Sequence, residues 1–168
     1  MALFNYEFGN LKDLLVRELK DLYDAEKQLT ETLPEMAQAA NSSELKQAFQ
    51  DHYRETQTHV TRLEEIFRGL NQPVRGESCP AMKGIIKEGS SMISAKGDPS
   101  VRDAGLIAAA QRAEHYEMAV YGSARSFARQ LGRNDLAEIL QKTLEEEGNA
   151  DKKLTAIAEA GVNQMAGA

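Results

Sequence analysis

Apolar residues recur at alternating intervals of four and three positions along four long stretches of the chain. The second stretch is the clearest, and this spacing runs through Leu45, Phe49, His52, Thr56, His59, Leu63, Ile66 and Leu70. The interval places side chains on one face of an α-helix and is typical of the inward face of a bundle helix. Its two histidines occupy positions where Leu or Ile is expected, which indicates polar chemistry inside the core.

Three further stretches carry the same spacing, and each has a carboxylate among its apolar residues. Together the four predict long helices over about residues 11–40, 44–70, 99–131 and 135–160. Asn10 and Asn134 are the predicted N-caps of the first and last helices, because Asn accepts from free N–H groups at that position. Gly132 and Gly161 are the predicted ends of the last two helices. Pro34 is expected to bend or break the final turns of the first helix.

Residues 71–100 differ from the helical stretches and form a predicted crossover. They hold three of the four prolines and four glycines, with room for a short helix within residues 82–93. Cys79 lies there without a neighbouring His or second Cys, and we interpret it as a plain loop thiol. The crossover is long enough to carry the chain from one end of a bundle to the other.

The order of these elements predicts the fold class. The link between the first two helices is short, which makes them antiparallel neighbours, and no stretch alternates with the period of a β-strand. We therefore predict an all-α, ferritin-like four-helix bundle, in which two antiparallel helix hairpins are joined by the long crossover. One domain is expected over residues 1–168, with its core at about 10–160, an extended lead-in over 1–9 and a frayed tail after Gly161.

Composition excludes several classes of function. There are 26 acidic and 20 basic residues, so the net charge of −6 and the absence of a basic cluster argue against nucleic-acid binding. The single cysteine allows no intramolecular disulfide and makes a Cys-based zinc site implausible. No apolar run reaches the ~18 residues of a membrane span, and the N-terminus lacks the features of a signal peptide. We expect a cytoplasmic protein without a membrane partner.

Each long helix carries titratable side chains at one height of the predicted bundle. The candidates are Glu26 on the first helix, His52, Glu55 and His59 on the second, Glu114 and Glu117 on the third, and Glu147 and Asp151 on the fourth. The midpoint between Glu26 and His59 falls at the first interhelical turn, and the midpoint between Glu114 and Asp151 falls at the second. The partners within each hairpin should therefore face each other, roughly 25 Å from their turn.

Clustered carboxylates in a core repel one another and lose hydration, so they take up protons or destabilise the core unless a cation neutralises them. No Lys or Arg lies in these stripes at the right height. Oxygen ligands with one or two imidazoles suit iron or manganese, and zinc is an alternative. We predict two divalent metal ions, with iron favoured, although the pairs Glu55-x-x-x-His59 and Glu147-x-x-x-Asp151 depart from the Glu-x-x-His pattern of di-metal bundles.

Roles within this ligand set follow from position, and some alternatives stay open. Glu55 and Glu147 are the predicted bridging ligands, and Glu26 is a predicted terminal or chelating ligand. Either Glu114 or Glu117 serves the third helix in that role. Either His59 or His52, together with Asp151, completes the set. His52 has an equally good interpretation as a core histidine bonded to a carboxylate. Tyr116 and Tyr121 are predicted to pack in the bundle, and Glu145 and Glu146 to be solvated.

Several segments together resemble the YciE/YciF family of ferritin-like bacterial stress proteins. They include Leu-Lys-Gln-Ala-Phe-x-x-His-x-x-Glu-Thr at residues 45–56 and Glu-His-Tyr-Glu at 114–117, with further matches at 21–29, 79–84, 102–111 and 144–154. The resemblance covers about residues 10–158. It implies a ferritin-like fold with a metal centre, a homodimer and a role in bacterial stress. The matching segments contain His52 and Glu55, whereas the family fixes no histidine at position 59.

The sequence supports three hypotheses about function. The first is a di-iron carboxylate protein with ferroxidase activity or with peroxide or oxygen chemistry. The second is a redox-silent structural or protein-interaction bundle that keeps the fold, and the third is a manganese catalase-like activity.

Overall fold

Helices make up most of the computed structural model, which describes residues 7–168. Their bounds are α1 Leu11–Ala39, α2 Ser43–Gly69, α3 Pro80–Ile93, α4 Pro99–Gln130, α5 Asn134–Ile157, a π-helical segment Ala158–Val162, and α6 Asn163–Ala166. No strand occurs within these described residues. None of the described helices has the length and apolarity that crossing a membrane requires. Of the predicted lead-in over 1–9, residues 1–6 lie outside the described part of the chain.

The four long helices form two hairpins, which confirms the predicted ferritin-like bundle. The helices α1 and α2 pack along each other, as do α4 and α5, and the hairpins meet through contacts of α1 with α4 and of α2 with α5. The crossover between α2 and α4 contains α3, which packs on α1 and α4. This arrangement brings the inward faces of all four long helices around a common axis.

Two apolar clusters fill the interior, and a polar layer separates them. The cluster near the α1–α2 turn includes Leu33, Leu45, Phe49, Leu106 and Leu154. The cluster at the opposite end includes Leu19, Leu63, Phe67, Tyr121 and Leu140. Each fully buried Leu or Phe stabilises the fold by about 1.5–3 kcal/mol, so the polar layer is held in place from both sides.

Asp103, near the start of α4, ties the two hairpins together. It is fully buried, and its two carboxylate oxygens accept hydrogen bonds from the backbone N–H groups of Asn41 (2.8 Å) and Ser42 (2.7 Å). These donors lie in the turn between α1 and α2, where the backbone N–H groups have no partner within a helix. The contact fixes α4 against the end of the first hairpin.

Some predicted helix ends are confirmed and others are wrong. Asn10 caps α1 by accepting from the N–H of Asp13 at 3.1 Å, and Gly132 follows α4 with φ of 73°. Pro34 does not break α1, which continues to Ala39 because Leu33, Met36 and Ala37 are buried in the core. Asn134 is not a cap; Arg133 takes that position, without a side-chain hydrogen bond.

The predicted end at Gly161 and the frayed tail after it are also wrong. Gly161 lies inside the π-helical segment, and the helix continues through α6 to Ala166. Buried Ala158 and Val162 hold this continuation, which packs against α4. Burial of these side chains outweighs the low helix propensity of glycine.

Candidate metal centre

The polar layer places carboxylates from three helices beside two histidines from α2. The buried carboxylates are Glu26 on α1, Glu114 and Glu117 on α4, and Glu147 on α5, none more than 2% exposed. His59 is fully buried, and His52 is 7% exposed. These residues share the inward stripe with the apolar side chains above and below them. Packing of the two apolar clusters therefore forces the polar groups together.

Glu26, His59 and Glu147 form the first of two triads in this layer. The Nδ1 atom of His59 lies 3.0 Å from Oε1 of Glu147 and 3.4 Å from Oε1 of Glu26. Nδ1 nevertheless makes no hydrogen bond within the described chain. Two ligand atoms that each lie ~2.1 Å from one metal ion are about 3 Å apart, so these distances suit donors that point at a shared ion. The three ligand atoms lie within 4.8 Å of one another.

His52, Glu114 and Glu147 form the second triad, with ligand atoms within the same 4.8 Å limit. The Nε2 atom of His52 lies 3.2 Å from Oε1 of Glu114 and 3.8 Å from Oε2 of Glu147. Glu147 thus offers one oxygen to each triad. A carboxylate shared in this way is the arrangement of a bridging ligand between two metal ions.

Glu117 lies among these groups without a partner of its own. Its side chain is fully buried, and neither carboxylate oxygen has a hydrogen bond to any described residue. Burial, and then the charges of Glu147, Glu26 and Glu114, raise the pKa of Glu117 well above its usual value. An ionised carboxylate in this position costs several kcal/mol unless a cation or a proton compensates it.

The other carboxylates of the layer also need a proton or a cation to compensate their charge. Burial raises the pKa of Glu26 and of Glu147. Burial alone would lower the pKa of His59, but its short contacts with Glu147 and Glu26 raise it to about 10. Within residues 7–168, no Lys or Arg forms an ion pair with Glu26, Glu114, Glu117 or Glu147. The layer must therefore take up protons or metal ions, and its oxygen and imidazole donors fit iron, manganese or zinc.

Glu146 orients His59 from outside the triads, although we predicted it to be solvated. Nε2 of His59 lies 3.0 Å from Oε2 of Glu146, which also pairs with Arg62. Because a carboxylate only accepts, Nε2 carries a proton, and Nδ1 is the ring nitrogen that would be available to a metal ion in the triad. Burial would raise the pKa of Glu146, but the hydrogen bond and charge of Arg62 lower it, so the carboxylate stays an acceptor.

Three predicted ligands lie outside both triads: Glu117, which is fully buried in the layer, and Glu55 and Asp151, which are partly exposed. Glu55 keeps 42% of its side chain exposed and reaches only Nδ1 of His52, at 3.8 Å. Three residues correspond to about 300° of helix rotation, so Glu55 lies at the edge of the face that His52 occupies. Asp151 accepts from Gln111 at 2.9 Å and lies 3.3 Å from His115.

A second polar cluster, which we had not predicted from the sequence, is formed by Asp21, Cys79 and Tyr116. Cys79 is not a loop thiol: it is fully buried at the N-cap of α3, and its Sγ donates to Oδ2 of Asp21 at 3.1 Å. Tyr116 also donates to Asp21, and Tyr121 donates to Glu26, so both hydroxyls bond where we had predicted packing. A buried phenol needs such a partner, but the sequence does not indicate which one.

Comparisons with known proteins agree with this architecture. A family model described as Domain of unknown function (DUF892) matches residues 10–167. Protein YciF of Escherichia coli (strain K12) is 41% identical over 157 residues, covering 93% of this chain and 95% of YciF. The crystal structure of the E. coli stress protein YciF matches with a TM-score of 0.89 and 41% identity, over 93% of this chain and 99% of that one.

A second solved structure is similar over nearly the same length. YcfI of Rhodopseudomonas palustris, described as a proposed structural protein, has a TM-score of 0.86 and 38% identity, over 91% of this chain and 98% of its own. The family match and the YciF alignment both span nearly all of the chain. The chain therefore belongs to the YciE/YciF family, which the DUF892 model describes.

Proposed function

We propose that this chain is a di-metal carboxylate protein that binds two divalent transition-metal ions, with iron favoured over manganese or zinc. Glu26 and His59 would hold one ion, and His52 and Glu114 the other, with Glu147 bridging them. The observation that carries this proposal is the full burial of Glu117 with neither oxygen hydrogen-bonded to a described residue. Glu117, which belongs to neither triad, would supply a further carboxylate ligand, whereas Glu55 and Asp151 would not take part.

Bound iron would supply redox chemistry toward oxygen or peroxide, which supports a ferroxidase or peroxide-consuming activity in a stress protein. The chain's own side chains would hold the site ready for it. Glu146 keeps the proton of His59 on Nε2, and the hydroxyl of Tyr121 donates to one oxygen of Glu26. The apolar clusters above and below the layer keep bulk water away from these groups.

The test is metal binding by purified protein, measured by elemental analysis and by titration of metal-free protein with Fe(II). We expect two ions per chain in the wild type and one or fewer in Glu147→Gln, because that residue serves both ions. Glu145→Gln is the matched control, since it removes the same charge from an exposed position on the same helix. Absence of bound metal in the wild type, or equal content in both variants, would overturn the proposal.

A redox-silent structural protein is the second candidate function, and the description of YcfI as a proposed structural protein favours it. Fe(II) oxidation and peroxide consumption by metal-loaded protein separate the two. Metal binding without turnover would support the structural role. Oxygen release from peroxide by the manganese-loaded form would support the catalase-like alternative.

The expected homodimer and the cytoplasmic location stay predictions. Light scattering on the purified protein tests the homodimer, and cell fractionation tests the cytoplasmic location.

A further inference from the structure

A cavity of about 520 Å³ lies between α2 and α5, and its inner end reaches the second triad. Its lining includes Asp51, His52, Glu55, Glu114, Ala150 and Lys153. His52 and Glu114 belong to the triad, and the remaining four lie toward solvent. At ~30 Å³ for each water molecule, the cavity has room for a hydrated metal ion.

His52 stands between this cavity and the buried carboxylates. Its Nε2 faces Glu114 at 3.2 Å, and its Nδ1 faces Glu55 at 3.8 Å. The imidazole is 7% exposed, and neither ring nitrogen makes a hydrogen bond within the part of the chain that the structure describes. A buried imidazole without hydrogen bonds, at the end of an open cavity, has the properties of a residue that meets a ligand arriving from outside.

The charged side chains that line the cavity indicate which kind of ligand it would admit. Besides His52, the basic groups of the lining are Arg54 and Lys153, and both pair with Asp51, at 2.9 Å and 3.4 Å. Glu55 forms no ion pair with Lys or Arg among the described residues and keeps 42% of its side chain exposed. An anion would meet Glu55 first and then the carboxylates beyond His52. The uncompensated charge therefore favours a cation.

We propose that this cavity is the access route of a hydrated divalent metal ion, with Glu55 capturing the ion before it reaches His52 and Glu114 of the second triad. The inference rests on the proposed function, because it assumes that the triads bind metal. It assigns Glu55 a transit role in place of the bridging role predicted from sequence. Glu55 lies at the edge of the inward face and is partly exposed, so an ion that it binds can also be released.

The test is the rate of Co(II) binding to metal-free full-length protein, followed by stopped-flow absorption. Glu55→Gln should slow association by about tenfold while the number of Co(II) ions bound at equilibrium stays at the wild-type value. Ala150→Met, which fills the cavity without changing charge, should slow it as well. The matched control is Glu65→Gln, which removes an exposed charge from the same helix outside the cavity and should bind at the wild-type rate.

Each other result contradicts the inference. Wild-type rates in both Glu55→Gln and Ala150→Met would overturn the access route, provided that circular dichroism shows both variants folded. Equal slowing in Glu65→Gln would assign the effect to net charge and would also overturn it. Loss of a bound ion in Glu55→Gln would make that residue a resident ligand. If the wild type binds no Co(II), the proposed function itself fails, which the equilibrium measurement shows separately.

Discussion

Asp103 and Glu117 are two fully buried carboxylates on the same helix, and their surroundings differ completely. Both oxygens of Asp103 accept hydrogen bonds from backbone N–H groups, at 2.8 Å and 2.7 Å. Neither oxygen of Glu117 has a hydrogen bond to a described residue. The difference shows that burial of an acid does not by itself indicate a metal. What distinguishes the two positions is whether the protein supplies donors.

Height in the bundle explains why donors reach one carboxylate and not the other. Asp103 faces the turn between α1 and α2, where backbone N–H groups lie outside any helix. Glu117 faces the middle of the bundle, where the N–H groups of the surrounding helices already bond within their own helix. Only side chains, protons or metal ions can compensate a carboxylate at that level.

Replacing Asp103, whose carboxylate is fully hydrogen-bonded, should have the largest effect on stability. Asp103→Ala leaves two buried N–H groups without acceptors, and we expect the free energy of unfolding to fall by about 3 kcal/mol or more. Urea unfolding of metal-free protein measures this loss. Asp103→Asn, which keeps one acceptor oxygen, should lose less. A loss below about 1 kcal/mol in Asp103→Ala would mean that the N–H groups find other partners.

Metal loading should stabilise the protein through the carboxylates and histidines of the polar layer, and Asp103 should take no part in it. At a free metal concentration one hundred times the Kd, one bound ion raises the free energy of unfolding by about 2.7 kcal/mol. Asp103→Asn should keep this increment, whereas Glu117→Gln should lose much of it. Thermal unfolding with and without a chelator provides the measurement. An equal increment in both variants would remove the distinction between the two carboxylates.

Glu117→Gln should stabilise the metal-free protein, which is the opposite sign to Asp103→Ala. Removing an uncompensated buried charge is worth about 1–2 kcal/mol where the packing volume is kept. Urea unfolding in excess chelator tests the sign, and Glu145→Gln controls for the change in net charge. Destabilisation of metal-free Glu117→Gln would show that a proton already satisfies Glu117.

The pH dependence of metal-free protein should be the smallest of these effects. Burial raises the pKa of Glu117, Glu26 and Glu147 above the unfolded value of 4.5, so the folded state holds more protons than the unfolded state. Their contribution to stability is therefore fully present below pH 4.5 and is lost as pH rises through the folded pKa. We expect the melting temperature to fall by a few degrees between pH 6 and pH 8.

Metal-loaded protein should lose this dependence, because metal ions replace the protons. Glu117→Gln should reduce the slope in metal-free protein. A melting temperature that rises with pH in the metal-free wild type would contradict the raised pKa values.

The alternation of four and three positions was enough to predict the bundle, because it fixes which helix face points inward. It also predicted the height of the layer, and Glu147, the residue predicted to bridge two ions, lies in both triads. The spacing could not decide the place of Glu55. It lies only about 60° around the helix from His52, and this small rotation is enough to move a side chain from the inward face to its edge. Glu146 was missed because Arg62, which holds it beside His59, is distant in sequence. Cys79 was missed because its partners Asp21 and Tyr116 come from two other helices.

The hydrogen bonds of Asp103 also set the axial alignment of the hairpins. Glu26 precedes the α1–α2 turn by about 15 residues and Glu117 follows Asp103 by about 14, so each carboxylate lies roughly 21–23 Å from the contact. One inserted residue in either interval would shift a carboxylate by about 1.5 Å and rotate it by about 100°. The number of residues in these intervals is therefore as much a requirement of the site as its side chains, and an insertion there should disrupt the site while leaving every ligand in place in the sequence.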